Sequence, residues 1–486
     1  MNFDLLIRNA TLVDGTGAAR RAGGVAISGE RIELVGELGG ARGRSEIDAA
    51  GMVLAPGFID VHTHDDRLLL SDPAMLPKLL QGVTTVVTGN CGISLAPSPP
   101  RIPPPLDLLD DSGQWYRFAT FGAYAAALAD ARPATNCVAL IGHSTLRVRA
   151  LEDLEREATP AQVAAMRAEL AAALLAGATG MSAGPAYAPA AAASTAELIE
   201  VARPLAAHRG IFTIHMRNEH DGVLAAIDET LAIGRALGVP VVISHHKVAG
   251  EKMHGRSVET LARIARAMRS QAVALDCYPY HASSTVLIAD AVRFASRVLV
   301  TWSRPHPELA GLELGAAARR LGLSQDQAIA ALQPAGAVYF VMDEADVQRI
   351  LAFGPTMIGS DGLPHDPHPH PRLWGTFPRV LGHYARDLAL FPLETAVHKM
   401  TGLSASRFGL PGRGVIRAGA IADLVIFDAA TIDDAATFEH PTRPAAGIDT
   451  VIVAGEIAVA GGEPTGVRVG KLLTGRVGAG DAAWAR

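Results

Sequence analysis

Two histidines one residue apart, His62 and His64, close the stretch Phe58-Ile-Asp-Val-His-Thr-His64. The residues before them have strand character. Alternate side chains of a strand share a face, so both imidazoles should project the same way, with Cα atoms ~7 Å apart. Two rings so placed can reach one metal ion. Cys91 follows the β-branched run Val83–Thr88 through Gly89-Asn-Cys91, and His215 closes Ile211–His215. His245 and His246 follow Val241–Ser244, and Asp361 ends Thr356-Met-Ile-Gly-Ser-Asp361. Thiolate, imidazole and carboxylate are the donors that Zn2+ accepts. Any one of these residues alone reads equally well as core or surface; their recurrence at one end of successive strands does not.

Those strand ends need a frame. Between residues 56 and 405 strands alternate with helices, and eight strands can be counted near residues 60, 86, 139, 181, 213, 243, 275 and 358. The clearest helix starts at Thr159-Pro160, runs through Val163, Met166, Leu170 and Leu174, and stops at Gly177. A second opens on the capping box Ser194/Glu197 and should break at Pro204. A third reaches Leu237 and closes at Gly238. Eight such units predict an α/β fold, a (β/α)8 TIM barrel whose strand C-termini surround a common centre. No Gly-x-Gly-x-x-Gly follows the first strand, which argues against a dinucleotide-binding sheet. Residues about 283–345 exceed one connecting helix and predict an insertion over the barrel mouth.

Residues 1–55 carry three strand-like runs, Asp4–Val13, Val25–Ile32 and Ile47–Leu54, and residues 406–486 carry more, including Ala422–Asp428 and Val451–Glu456. Pairing of these end segments predicts a small β-sandwich domain built from both termini, with 56–405 inserted as the catalytic barrel.

Of 486 residues 49% are hydrophobic and 19% charged, ample for a large core, and the net charge of −6 with no Lys/Arg run argues against nucleic acid as a partner. No apolar run is long enough to span a membrane. Met1-Asn-Phe-Asp lacks a signal peptide's basic start, so a cytoplasmic location is expected. The sequence carries no signal for an oligomeric state. Three cysteines are too few and too odd for a disulfide framework. Cys137 and Cys277 fall on predicted strands and are expected in the barrel wall.

The motifs Gly57-Phe-Ile-Asp-Val-His-Thr-His64, Gly89-Asn-Cys-Gly92, Ile214-His-Met-Arg217, Ser244-His-His-Lys247 and Gly359-Ser-Asp-Gly-Leu-Pro-His365 resemble the amidohydrolase superfamily, and within it the N-acyl-D-amino-acid deacylases, or D-aminoacylases. The resemblance spans the barrel and implies zinc-dependent hydrolysis of N-acyl-D-amino acids, small-molecule substrates of linear amide type. It implies one tightly held zinc on Cys91, His215 and His245, and a weaker second position on His62, His64, Cys91 and Asp361. His245 is preferred to His246 by the resemblance, because adjacent strand residues face opposite sides. Binuclear relatives of hydantoinase and dihydroorotase type bridge their metals with a carboxylated lysine. Leu140, Gly142, Met181 and Ala183 leave no lysine on strands three and four, and Cys91 would bridge instead.

Such a site polarises the scissile carbonyl and acidifies water. Asp361 would then act as the catalytic base and return the proton to the leaving amine. The resemblance also suggests Lys247, Tyr187, Tyr278, Ser284 and Arg372 as substrate-binding residues, since cations and hydroxyls suit a carboxylate. Arg293 could accept an acidic substrate side chain, as in N-acyl-D-glutamate, or simply pair with Asp290 three residues earlier. Glu219 and His220, following His215, could support the ligands from behind. His143 has no ligand role by resemblance. His365, His368 and His370 lie in a Pro-rich segment expected to be an exposed loop. A cyclic-amide hydrolase is the alternative enzyme, and a catalytically silent barrel the alternative class.

Overall fold

A computed structural model describes residues 2–478, 480, 481 and 484. Eight parallel strands, Phe58–Asp60, Val83–Thr88, Asn136–Gly142, Gly180–Ala183, Ile211–Ile214, Val241–Ile243, Val273–Cys277 and Thr356–Ile358, are hydrogen-bonded in sequence order. Nearly every residue in them is buried, as strands covered on both faces must be. They form the expected barrel. Between strands one and eight there is no ladder. A single parallel bridge from Thr63 to Gly362 and the bond from Asp361 N to His62 O at 2.7 Å draw the two ends together.

The helices follow their sequence signals. Pro160–Leu175 carries a complete capping box between Thr159 and Gln162. Thr195–Ala202 and Pro204–His208 are two helices rather than one, because Pro204 cannot continue the hydrogen-bond ladder. Val223–Leu237 ends on Gly238 at φ 65°, the left-handed cap that glycine adopts without a Cβ penalty.

The small sheet contains Asn2–Leu12, Arg21–Ser28, Arg31–Gly36, Arg42–Asp48 and Val53–Pro56 from one end of the chain. Leu424–Phe427, Ile448–Val453, Glu456–Ala460 and Glu463–Pro464 come from the other. The halves join where Val53–Pro56 runs antiparallel to Leu424–Phe427. Two expected strands are each divided. Val25–Ile32 contains a hairpin, with Ser28 opposite Arg31 and Gly29 at φ 54°, and Ile47–Leu54 is interrupted by the turn at Ala49–Gly51. Past Pro464 the chain leaves the small sheet. Leu472–Leu473 adds to barrel strand three, and Val477 and Trp484 pack with Leu403 and Phe408 against the barrel's inner residues Ile59, Val138 and Met357.

Between strands seven and eight, Ala282–Val286, Arg297–Ser303 and Ala335–Phe340 form an antiparallel sheet with Ala335–Phe340 in the centre. Helices Leu314–Leu321 and Gln325–Leu332 belong to the same insertion. This insertion supplies one wall of the cleft described below.

His143 opens the helix His143–Ala150 and faces Glu197 on Thr195–Ala202, with Nε2 3.1 Å from Oε1. Arg147 Nη1 donates to Glu197 Oε2 at 2.6 Å, and Ala158 N donates to the same oxygen at 3.1 Å. Burial pushes the Glu197 carboxyl up, but His143 and Arg147 outweigh it and hold the group at about 2. A depressed carboxyl adds stability that is complete above its ordinary 4.5 and disappears as pH falls towards about 2. Glu197→Gln would leave Arg147 buried without its counter-charge. Urea unfolding at neutral pH should show a loss of about 3–5 kcal/mol, and the variant's stability should vary less with pH between 4.5 and 2 than the parent's.

Candidate metal centre and substrate cleft

The donors stand just past the strand ends, in turns that fix where they aim. Cys91 at φ 54°, His245 at φ 35° and Asp361 at φ 51° are all left-handed, a conformation that costs a non-glycine residue on the order of 1–3 kcal/mol. The turn into Cys91 begins at Gly89, φ 75°, where a Cβ would sit 2.1 Å from Leu140 O. Strand eight approaches the first histidine so closely that a Cβ on Gly359 would lie 2.5 Å from His62 Cβ. These backbone constraints place side chains from strands one, two, five, six and eight around one point.

Two donor groups result, His62–His64–Cys91–Asp361 and Cys91–His215–His245, each with its ligand atoms within 4.8 Å of one another. Cys91 belongs to both. Its sulfur lies 3.2 Å from His62 Nε2 and 3.3 Å from His245 Nε2. Asp361 Oδ1 lies 3.4 Å from His62 Nε2 and 3.3 Å from His64 Nε2. These separations match the ~3.5 Å between neighbouring ligands on one tetrahedral ion with metal–nitrogen near 2.1 Å and metal–sulfur near 2.3 Å. His246, by contrast, turns to Thr260, with Nε2 2.9 Å from its hydroxyl.

The ring nitrogens behind the donors are also ordered. Asp276, on strand seven, lies 3.3 Å from His62 Nδ1 and accepts from His245 N at 2.8 Å. Glu219 Oε1 lies 3.1 Å from His245 Nδ1. In His62 and His245 Nδ1 faces a carboxylate and Nε2 faces Cys91, the arrangement metal-ligating histidines adopt. Lys247 Nζ donates to Glu219 Oε1 at 2.8 Å and lies 2.9 Å from His245 Nδ1.

Charge tells the same story. Burial pushes the Cys91 thiol up, but the imidazolium charges of His62 and His245 and hydrogen bonds from His215 and His245 carry it well below the usual thiol range. Burial likewise raises Asp361, and Arg372, His62 and His64 outweigh it, leaving an ionised carboxylate. His64, despite burial, is raised to about 9 by Asp361 and Cys91. The thiolate and carboxylates thus favour protons on His62 and His64, whereas burial lowers His215. A divalent ion would displace those protons and supply that charge. The donor set therefore fits a metal.

A cleft lies beside the donors. Tyr187, His215, His245, Lys247, Ser284 and Asp361 line it, and so do the polar Arg217, Asn218, His220 and Asp290. Ile288, Ala291, Phe294, Tyr339 and Val341, from the insertion, add an apolar wall. Arg372 is fully buried behind Asp361, with Nη1 2.9 Å from Oδ2 and Nη2 donating to Ser284 O at 3.1 Å. Its guanidinium lies 4.5 Å from the centre of the Tyr278 ring. Neither the Tyr278 hydroxyl nor Arg372 Nε has a hydrogen-bond partner among the described residues. Tyr187 packs on His215 and its hydroxyl lies 3.1 Å from Thr285 Oγ1, while Ser284 Oγ donates to Ala337 O at 3.3 Å.

Arg293 is not in this cleft. It is exposed and lies 3.2 Å from the Asp290 carboxylate, because helical spacing gives it a local partner. The histidine-rich segment is packed rather than exposed. His370 is buried with Nε2 3.1 Å from Ala282 O, and His368 Nε2 lies 2.7 Å from Phe438 O. Cys137 and Cys277 are buried in strands three and seven. Asp276 escaped sequence reasoning, although a lone carboxylate inside Val273-Ala-Leu-Asp-Cys277 is itself a signal.

Residues 45–459 match the model of the Amidohydrolase family, and the chain belongs to that family. It is 57% identical over 97% of both chains to a D-aminoacylase of Alcaligenes xylosoxydans xylosoxydans, and 53% identical to an N-acyl-D-aspartate deacylase of the same organism over 97% of this chain and 95% of the relative. A D-aminoacylase structure whose binuclear centre is activated by one metal and attenuated by a second superposes with TM-score 0.95 at 56% identity, covering 97% of this chain and 100% of that one. The N-acyl-D-glutamate deacylase of Bordetella bronchiseptica, complexed with zinc and a phosphonate mimic of the tetrahedral intermediate, superposes with TM-score 0.92 at 46% identity over 98% and 100%. A D-hydantoinase, at 16% identity and TM-score 0.57, shares the fold.

Because Cys91 belongs to both donor groups, Cys91→Ala should reduce bound divalent metal in both. Elemental analysis after dialysis should find metal near zero in Cys91→Ala and about one ion per chain in His64→Ala, which touches one group only.

Proposed function

We propose that this amidohydrolase hydrolyses N-acyl-D-amino acids to a carboxylate and a free D-amino acid, with zinc as its cofactor. The observation that carries the reading is the setting of Asp361. One oxygen faces His62 and His64 at the metal-binding donors, and the other is held by Arg372 beside the cleft. The activities of the relatives support a D-configured linear amide, and the zinc–phosphonate complex of the glutamate deacylase supports the metal.

Cys91, His215 and His245 would hold zinc, with a weaker position on His62, His64, Cys91 and Asp361, and the metal would supply Lewis acidity to the scissile carbonyl and to water. Asp361, ionised and fixed in orientation, accepts a proton from the attacking water at Oδ1 and delivers it to the departing nitrogen as the amide C–N bond breaks. The water oxygen ends in the new carboxylate. Arg372, Tyr278, Tyr187, Ser284 and Lys247 serve the substrate. The unpartnered Arg372 Nε and Tyr278 hydroxyl are donors suited to an α-carboxylate. Lys247, tied to Glu219, adds charge at the rim and holds Glu219 against His245.

The apolar wall of Ile288, Ala291, Phe294 and Val341 supports an apolar substrate side chain, with Arg293 exposed and paired to Asp290. Cys91 in the shared position and the absence of lysine from strands three and four favour linear amides over hydantoin-type rings. Small-molecule substrates, no nucleic-acid partner and a cytoplasmic location complete the reading. The net charge of −6 supports the second of these. No helix among the described residues is long and apolar enough to cross a membrane.

Asp361→Asn should retain the metal on Cys91, His215 and His245 while kcat falls by about 10²–10⁴. Near-normal turnover in a folded, metal-loaded variant would remove its role. The parent should hydrolyse N-acetyl-D-methionine in preference to N-acetyl-D-glutamate and to the L-isomers. A chelator should abolish that activity and zinc restore it; turnover of hydantoin instead would favour the cyclic-amide reading.

A further inference from the structure

The gap between strands one and eight is bridged by side chains. Asp60 Oδ1 accepts from Ser360 N at 2.8 Å and from His62 N at 3.3 Å. Asp60 Oδ2 accepts from Lys78 Nζ at 2.8 Å. Lys78 Nζ also donates to Ser360 Oγ at 2.8 Å and lies 3.4 Å from Asp65 Oδ2. Lys78, Asp60, Asp65 and Ser360 are fully buried. An ammonium has three N–H donors, and here three side-chain oxygens from both sides of the seam surround it.

The sequence positions of those oxygens matter. Asp60 is two residues before His62, Asp65 follows His64, and Ser360 precedes Asp361. One cation therefore ties Asp60 and Ser360, the neighbours of His62 and Asp361, across the seam, and faces Asp65, the neighbour of His64, at 3.4 Å. His215 and His245 receive nothing from Lys78; they are ordered by Glu219 and Asp276.

We propose that Lys78 is a positioning residue that sets the separation of His62, His64 and Asp361, and so governs metal binding in the group they share with Cys91 independently of the Cys91–His215–His245 group. The inference rests on the metal-centre reading above. Without a ladder across the seam, the distance between strands one and eight follows from the Asp60–Lys78–Ser360 clasp and a few backbone bonds. A fully buried ammonium is held in place by the oxygens that replace its water. Its removal takes the ammonium donor from Asp60 Oδ2, leaves Ser360 Oγ with the Gly362 N–H at 3.3 Å, and lets strand eight shift by a fraction of an ångström. Ligand geometry is sensitive on that scale, and loss of a supporting contact typically weakens metal affinity roughly 10–100-fold.

The test is a titration of zinc, and separately of cobalt, into the chelator-stripped full-length chain, with cobalt–thiolate absorption reporting the sulfur and circular dichroism reporting the fold. Lys78→Met should bind one equivalent as the parent does, with the thiolate band retained, and bind the second at least tenfold more weakly. Ser360→Ala, which removes one bond of the clasp, should shift the second isotherm in the same direction by less, and serves if Lys78→Met does not fold. Equal weakening of both equivalents, or unchanged isotherms in both variants, overturns the role of Lys78. A parent chain that takes up no metal overturns the metal centre itself.

Discussion

The centre depends on one sulfur atom having two sets of neighbours. Cys91 Sγ lies 3.2 Å from His62 on one side and 3.3 Å from His245 on the other, so neither donor group is complete without it. Its position comes from the turn after strand two, where Gly89 tolerates a close approach to Leu140 and Cys91 itself takes a left-handed backbone. A thiolate is a strong soft donor and can bridge two ions. Strands three and four carry no lysine, and the thiolate with its neighbouring carboxylates raises the pKa of His62 and His64. Every other feature of the site, from the carboxylates behind the histidines to the arginine behind Asp361, adjusts a geometry that this sulfur defines.

Asp361 illustrates how orientation is secured in a buried site. Its carboxylate is confined between histidines and the Arg372 guanidinium, and Arg372 is confined by Ser284 O and the Tyr278 face. Because Ser284 and Tyr278 flank the start of the inserted sheet, the insertion contributes to the orientation of the Asp361 carboxylate as well as to one wall of the cleft. Preorganised charge of this kind needs little rearrangement when substrate binds.

How much of this was legible in the sequence follows the reach of the signals. His62 and His64 are visible because strand alternation puts them on one face, and the barrel because eight apolar runs alternate with capped helices. The capping box at Thr159 and Gln162 and the break at Pro204 are local chemistry, and local chemistry reads well. Cys91, His215, His245 and Asp361 stand out because each follows a predicted strand, while their division into two ligand sets comes only from resemblance to a family, since contacts across strands leave no periodicity. For that reason Asp276 and Lys78 were invisible. Each is one charged residue in an apolar stretch, and its partners lie far away in the sequence or on other elements. For Arg293 the sequence leaves two readings open, an acidic-substrate contact and a pair with Asp290, and the structure shows the local pair. The division of Val25–Ile32 into a hairpin and the departure of the chain after Pro464 also escaped, because a short β-rich run looks the same on either side of a turn.

The seam in the small sheet between Val53–Pro56 and Leu424–Phe427 bears on how the molecule comes into being. A ribosome adding about 5–20 residues per second delivers the second of these strands tens of seconds after the first. Throughout that interval the nascent sheet presents an unpaired apolar edge while the whole barrel is being spun out behind it. Unsatisfied edges of this sort invite pairing with the wrong chain. The architecture thus places its greatest exposure to misassembly in the period of synthesis, and assigns the closing of the sheet to one of the last strands made.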